Sequence, residues 1–205
     1  MLPEHCLVTF GIFAALLSGV LPAGAQNPGP DAVTVTSNED VELCRLKGHC
    51  YIPEVDDPIF IGDVIETGES GRIEFLVSGL GSSPDARVLL LPDGKIRIDR
   101  GSTQFVEIEI LHGMIAVEPM NDFDVTFGSM RCLLGPGAAA LGYDLPDEPA
   151  GSAFVTNVRG SCRCLSAEDG TYDIPVDTAF SFRNGRSIHE RPAAEGLWAT
   201  LTGGR

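Results

Sequence analysis

GDVIETGESGRIEFLV, residues 62–77, decides how this chain is read. The stretch reads as two short strands around a turn, with Ile73, Phe75 and Val77 on one face. It holds no histidine, no serine in a nucleophile elbow and no metal-ligand spacing. Its glycines and alternating apolar residues specify turns and a core.

The same device recurs downstream. RVLLLPDGKIRID places Pro92-Asp93-Gly94 at a hairpin tip, with Gly94 expected to supply the positive φ. Ile96 and Ile98 then point inward, and Lys95, Arg97 and Asp99 outward. In VEIEILHGMIAVE, Val106, Ile108 and Ile110 alternate with Glu107 and Glu109, a His112-Gly113 turn is expected, and Ile115 and Val117 resume the inward face. DFDVTF continues with Phe123, Val125 and Phe127. Asp169-Gly170 and Asn184-Gly185 mark further turns. Roughly a dozen strands follow from such runs, and no apolar stripe of helical period exceeds two turns. The last fifteen residues are expected to form at most a short helical turn that docks Trp198. The fold class is all-β, with short antiparallel strands and hairpins arranged as a sandwich or a short β-helix. The abundance of Gly (24) and Pro (14) in 205 residues agrees with many turns.

The N-terminus points to export. Leu7–Leu21 is an apolar run followed by Pro22-Ala23-Gly24-Ala25, so residues 1–25 are expected to be a signal peptide cleaved between Ala25 and Gln26. The run is shorter than the ~20 residues of a spanning helix, and no later stretch is long enough to cross a membrane. Cleavage removes Glu4 alone among the Asp, Glu, Lys and Arg residues, so the formal charge goes from −15 to −14. Such a surface repels phosphate backbones, and nucleic acid is excluded as a partner. Residues 26–56 read as a flexible lead-in carrying a Cys44–Cys50 loop, residues 57–187 as the β domain and residues 188–205 as a C-terminal tail.

In an oxidising compartment the cysteines are expected in disulfides. CRLKGHC closes a small loop between Cys44 and Cys50, and Cys132 pairs with either Cys162 or Cys164. The last two stand two apart on a strand and face the same side. Cys-x-Cys is not a usual zinc spacing even with His49 nearby, so no metal and no cofactor are assigned. No catalytic motif is present, and His49, His112 and His189 read as exposed turn or tail residues.

The order of elements resembles the FecR domain, a periplasmic β domain of regulators that sense siderophore uptake. IGDVIETGESGRIEFLV, LLLPDGKIRIDRGS, VEIEILHGMIAVE and DFDVTFGSMRCLLGPGAAALGYD carry the likeness in family order, across roughly residues 58–185. Two departures matter. Signalling members have a cytoplasmic segment that holds a sigma factor and then a membrane span, where this chain has the expected signal peptide. GPGAAALGYD also lacks the family's Gly-Thr-x-Phe pairing. The resemblance implies a non-enzymatic exported scaffold that contacts another cell-envelope protein. Its acidic hairpin positions Glu107, Glu109, Glu118 and Asp124 would meet a basic partner. The alternative is a module that binds a polysaccharide or small ligand.

Overall fold

The computed structural model describes residues 30–78, 84–100, 106–145, 147–194 and 196–203. The expected signal peptide and its Ala25/Gln26 cleavage point lie outside them. The described chain is all-β, with seventeen strands in one large, mostly antiparallel open sheet and one short helix. In chain order the first strands are β1 (Ala32–Ser37), β2 (Val41–Cys44), β3 (Cys50–Tyr51), β4 (Pro58–Ile59), β5 (Val64–Thr67) and β6 (Ile73–Val77). Then come β7 (Ala86–Leu90), β8 (Lys95–Arg100), β9 (Val106–Pro119), β10 (Phe123–Phe127), β11 (Met130–Leu134) and β12 (Ala138–Tyr143). The last are β13 (Ser152–Arg159), β14 (Cys162–Ser166), β15 (Gly170–Asp173), β16 (Thr178–Arg183) and β17 (Arg186–Pro192), followed by α1 (Leu197–Thr202).

The strands pair in two ladders that share β9. The first runs β4-β1-β6-β7-β9-β12-β13-β16-β17. The second runs β3-β2-β5-β8-β9-β10-β11-β14-β15, in which β9 and β10 are parallel. One core draws on both. Phe75, Ile115, Leu141, Val155 and Phe182 come from the first ladder, and Leu43, Ile65, Ile96, Ile108 and Val125 from the second. The alternating apolar residues of the sequence thus face inward as expected, because period-2 alternation on both ladders is satisfied by a single shared interior.

His112-Gly113 is not the expected hairpin turn. β9 runs unbroken for 14 residues and changes ladder there. Its inward set is Val106, Ile108 and Ile110 before the change, and Ile115 and Val117 after it. That one-residue phase slip carries the strand from one ladder to the other, as bulges and bends do where strands change sheets. Gly113 allows it at φ 89. At the neighbouring hairpin tip, Asp93 rather than Gly94 takes the positive φ, at 54°. Gly94 is small because Leu90, Leu91 and the β9 bend crowd it.

Two polar residues of the opening stretch are buried and bonded, and Thr67 is the one that ties it to this corner. Thr67, 3% exposed, donates its hydroxyl to the carbonyls of Leu91 (2.7 Å) or Gly94 (3.1 Å) and accepts the Gly94 N–H at 2.9 Å. Asp63, 2% exposed, accepts the Phe60 N–H at 2.9 Å and pairs with Arg45.

Two boundaries differ from the sequence reading. The expected lead-in supplies β1 and β2, paired with β6 and β5, with Ala32, Thr34, Val41 and Leu43 buried. Polar, turn-rich composition reads as linker, yet β-branched residues suit a strand whose backbone is paired on both sides. The expected tail is ordered as well. β17 pairs along β16, and α1 lays Leu201, with Leu197 and Trp198, over Leu89, Leu91, Ala116 and Ala140 on the outer side of the first ladder. The Arg72 guanidinium donates to the Leu201 carbonyl.

Candidate functional site

The outer side of the second ladder is charged but internally matched. Lys95 pairs with Glu66 at 2.6 Å, Arg97 reaches Asp99 at 3.3 Å and also Glu109, and Arg163 meets Asp173 at 2.6 Å. Arg131 grips Asp124 with two bonds, Nε to Oδ1 at 3.1 Å and Nη2 to Oδ2 at 2.5 Å. The four acidic residues singled out from the sequence therefore do not form one open face. Asp124 is only 7% exposed and held by Arg131, and Glu109 is held by Arg97. Glu118 lies on the first ladder, in the hollow that Trp198 and Thr202 share with Glu74 and Arg87. Period-2 alternation gives the side of a strand but not what the neighbouring strand carries. Glu107 lies opposite Asp99 and beside Asp124 in register. Burial pushes its carboxyl above the ordinary range. Arg131 opposes that push, and Asp124, Asp99 and Glu109 add to it.

The cysteines form Cys44–Cys50 and Cys132–Cys164 disulfides. Cys132 and Cys164 are direct partners across β11 and β14, whereas Cys162 faces Leu134, and this register decides between the two alternatives. Cys162 is a buried thiol that burial pushes up to about 12. Glu42 lies beside Cys44 and Cys50, but both sulfurs are committed to the disulfide. The small loop is pinned by Arg45, which donates to the Pro58 carbonyl at 2.8 Å and stacks 5.3 Å from the Tyr51 ring and 5.1 Å from that of Phe60.

The outer side of the first ladder is different in kind. Toward β9 it is the apolar bed of α1. Beyond the helix, β12, β13 and β16 turn Gly142, Phe154, Thr156, Ala179 and Ser181 outward. A Cβ at Gly142 would stand 2.1 Å from the Phe154 ring, so the ring lies down over the glycine and walls a cavity of about 410 Å³. Met114, Leu145, Ile188 and Leu197 complete its apolar wall, and Glu148 and Arg191 also line it. Ser152, 8% exposed, lines it too, and its Oγ has no hydrogen-bond partner among the described residues.

β17 closes this side as an edge strand. Among the described residues it pairs only with β16, and six of its seven residues are exposed, including Ile188 at 56%. Asn184 and Gly185, at φ 49° and 77°, make the tight turn expected from Asn-Gly and set Arg183 opposite Arg186. Arg183, Arg186 and Arg191 make no ion pair among the described residues. None of these residues stood out in the sequence. Two arginines flanking Asn-Gly was the signal available, since that turn sets them face to face.

The three histidines among the described residues occupy separate places. His49 stacks on Tyr51 with ring centroids 6.1 Å apart, the Nδ1 of His112 is 3.1 Å from the Asp93 carbonyl, and His189 is exposed on β17. No described helix is long and apolar enough to cross a membrane. The chain matches no protein-family model and no curated protein.

Proposed function

We propose that this chain is a non-enzymatic exported β scaffold of the FecR-like kind, and that it holds another cell-envelope protein along the β17 edge. The observation that carries this reading is the edge itself, a seven-residue open strand that carries Arg186 and Arg191, with Arg183 across the turn on β16, none of them in an ion pair among the described residues. Natural sheets usually blunt or cover an edge of this length. A partner can add an extended segment to it by backbone pairing, and the arginines favour an acidic segment. The basic partner expected for the acidic hairpins is not retained, because Glu109 and Asp124 are already paired and Glu118 lies on the other ladder. Two disulfides suit an oxidising compartment. Two ladders around one core are in keeping with the sandwich form of the fold, and the scattered histidines with a role in binding rather than catalysis.

The test places a photocrosslinking residue at Ile188, with Leu165 on the opposite ladder as control. The expected result is one envelope protein captured from position 188, and its loss in the Arg183→Glu/Arg186→Glu variant. Equal capture from both positions, or capture indifferent to the charge reversal, sinks the proposal.

A second reading, a small-ligand module, is favoured by the cavity beneath Phe154 with its unpartnered Ser152 hydroxyl. The apolar wall speaks against a polysaccharide.

A further inference from the structure

We infer that the cavity between β13, β16, β17 and Leu197 at the start of α1 binds a small amphipathic anion, an acyl chain ending in a single carboxylate. The inference rests on the small-ligand reading and shares Ile188 and Arg191 with the proposed edge contact, while its test uses free ligands alone. Three features lead to it.

The first is the body of the site. Met114, Phe154, Ile188 and Leu197 give it apolar walls, and its volume of about 410 Å³ falls within the roughly 300–1,000 Å³ of small-molecule sites. Hydrocarbon is the matter that such a wall recognises.

The second is Ser152. Its backbone is satisfied, the N–H by the Pro149 carbonyl at 3.0 Å and the carbonyl by the Asp144 N–H at 2.8 Å. Its hydroxyl is buried and has no hydrogen-bond partner among the described residues. A buried polar group without a partner is costly and rare, and a ligand oxygen entering the cavity supplies what is missing.

The third is the charge at the lining. Arg191 lies opposite Ala179 in register, and Ala179 itself faces the cavity. Among the described residues its guanidinium has no ion pair, in a chain of net charge −15. Planar guanidinium matches a carboxylate with two parallel bonds. Glu148 lines the same cavity and is exposed. Its negative charge disfavours a head group carrying more than one charge, so a monocarboxylate fits better than a phosphate monoester or a dicarboxylate.

Trp198 is the sole tryptophan and follows Leu197 of the cavity wall, so its emission serves as an internal probe. The experiment titrates the folded protein with decanoate, decanol and decylammonium below their micelle concentrations, reading Trp198 emission and heat. Decanoate is expected to saturate one site at least tenfold more tightly than decanol. Arg191→Gln should remove that difference while leaving decanol binding unchanged, and Ser152→Ala should weaken decanoate several-fold. If decanol or decylammonium binds as tightly as decanoate, the anion inference is overturned and the small-ligand reading stands. If none of the three saturates, both fall.

Discussion

A Cβ placed on Gly113 would stand 2.4 Å from the Cα of Gly94 and 2.7 Å from the carbonyl oxygen of Asp93. The strand that joins the two ladders therefore passes the β7–β8 turn backbone against backbone. Met114 continues that contact, its carbonyl accepting the Leu91 N–H at 3.0 Å. Gly113→Ala must either push the turn away or leave its left-handed φ, which costs an L-residue about 1–2 kcal/mol before any clash. The expected destabilisation is about 3 kcal/mol or more, read from urea unfolding. A loss below about 1 kcal/mol would show that the corner yields freely.

Thr67 tests the same corner from its other side. Thr67→Val keeps the shape and deletes the hydroxyl that serves Leu91 and Gly94. Leaving those buried backbone groups short of a partner is expected to cost about 1–3 kcal/mol, with Thr67→Ser recovering most of it. A loss for Ser with none for Val would assign the effect to packing of the methyl group instead.

Much of this scaffold was legible because alternation reports burial directly. Ile73, Phe75 and Val77, then Ile96 and Ile98, then Phe123, Val125 and Phe127 all face the core as their spacing demanded. The corner at Gly113 was not legible, since a tight turn and a strand that changes ladder produce the same one-residue slip in the pattern. β1 was missed because AVTVTS hides an inward Ala32 and Thr34 among hydroxyl residues. The candidate site was the least legible part. Phe154 and Ser152 become a wall only when α1 and β17 are brought beside them, and the pairing of Asp124 with Arg131 depends on β11 lying next to β10.

The cysteines give a prediction with two readouts. Peptide mapping without reduction should return the 44–50 and 132–164 pairs, with Cys162 unreactive toward iodoacetamide until the chain is unfolded. Its thiol is buried and pushed up to about 12, so almost no thiolate exists at neutral pH. Opening the longer loop with Cys132→Ala/Cys164→Ala should cost about 3–4 kcal/mol, against about 2 kcal/mol for Cys44→Ala/Cys50→Ala, because loop entropy grows with separation. Alkylation of Cys162 in the native protein, or a 132–162 linkage, would contradict the register of β11 with β14.

Glu107 makes a prediction about pH whose sign follows from its surroundings. Burial is the largest influence on its carboxyl and raises it; Arg131 opposes this, and Asp124, Asp99 and Glu109 reinforce it. A raised value means that the folded state binds the proton more tightly than the unfolded chain does. The stabilisation from protonated Glu107 is therefore complete below the unfolded value of about 4.3 and is lost as pH rises through the higher folded value. At neutral pH the charged carboxylate is a net cost in this position. Glu107→Gln is accordingly expected to raise the urea midpoint at pH 7, by an amount worth about 0.5 kcal/mol because the residue is partly exposed and solvent screens the field. The gain should shrink as the measurement is taken down toward pH 4. A gain that persists at pH 4 would assign the effect to packing rather than charge. A loss at pH 7 would mean that the attraction of Arg131 outweighs burial and the three neighbouring acids.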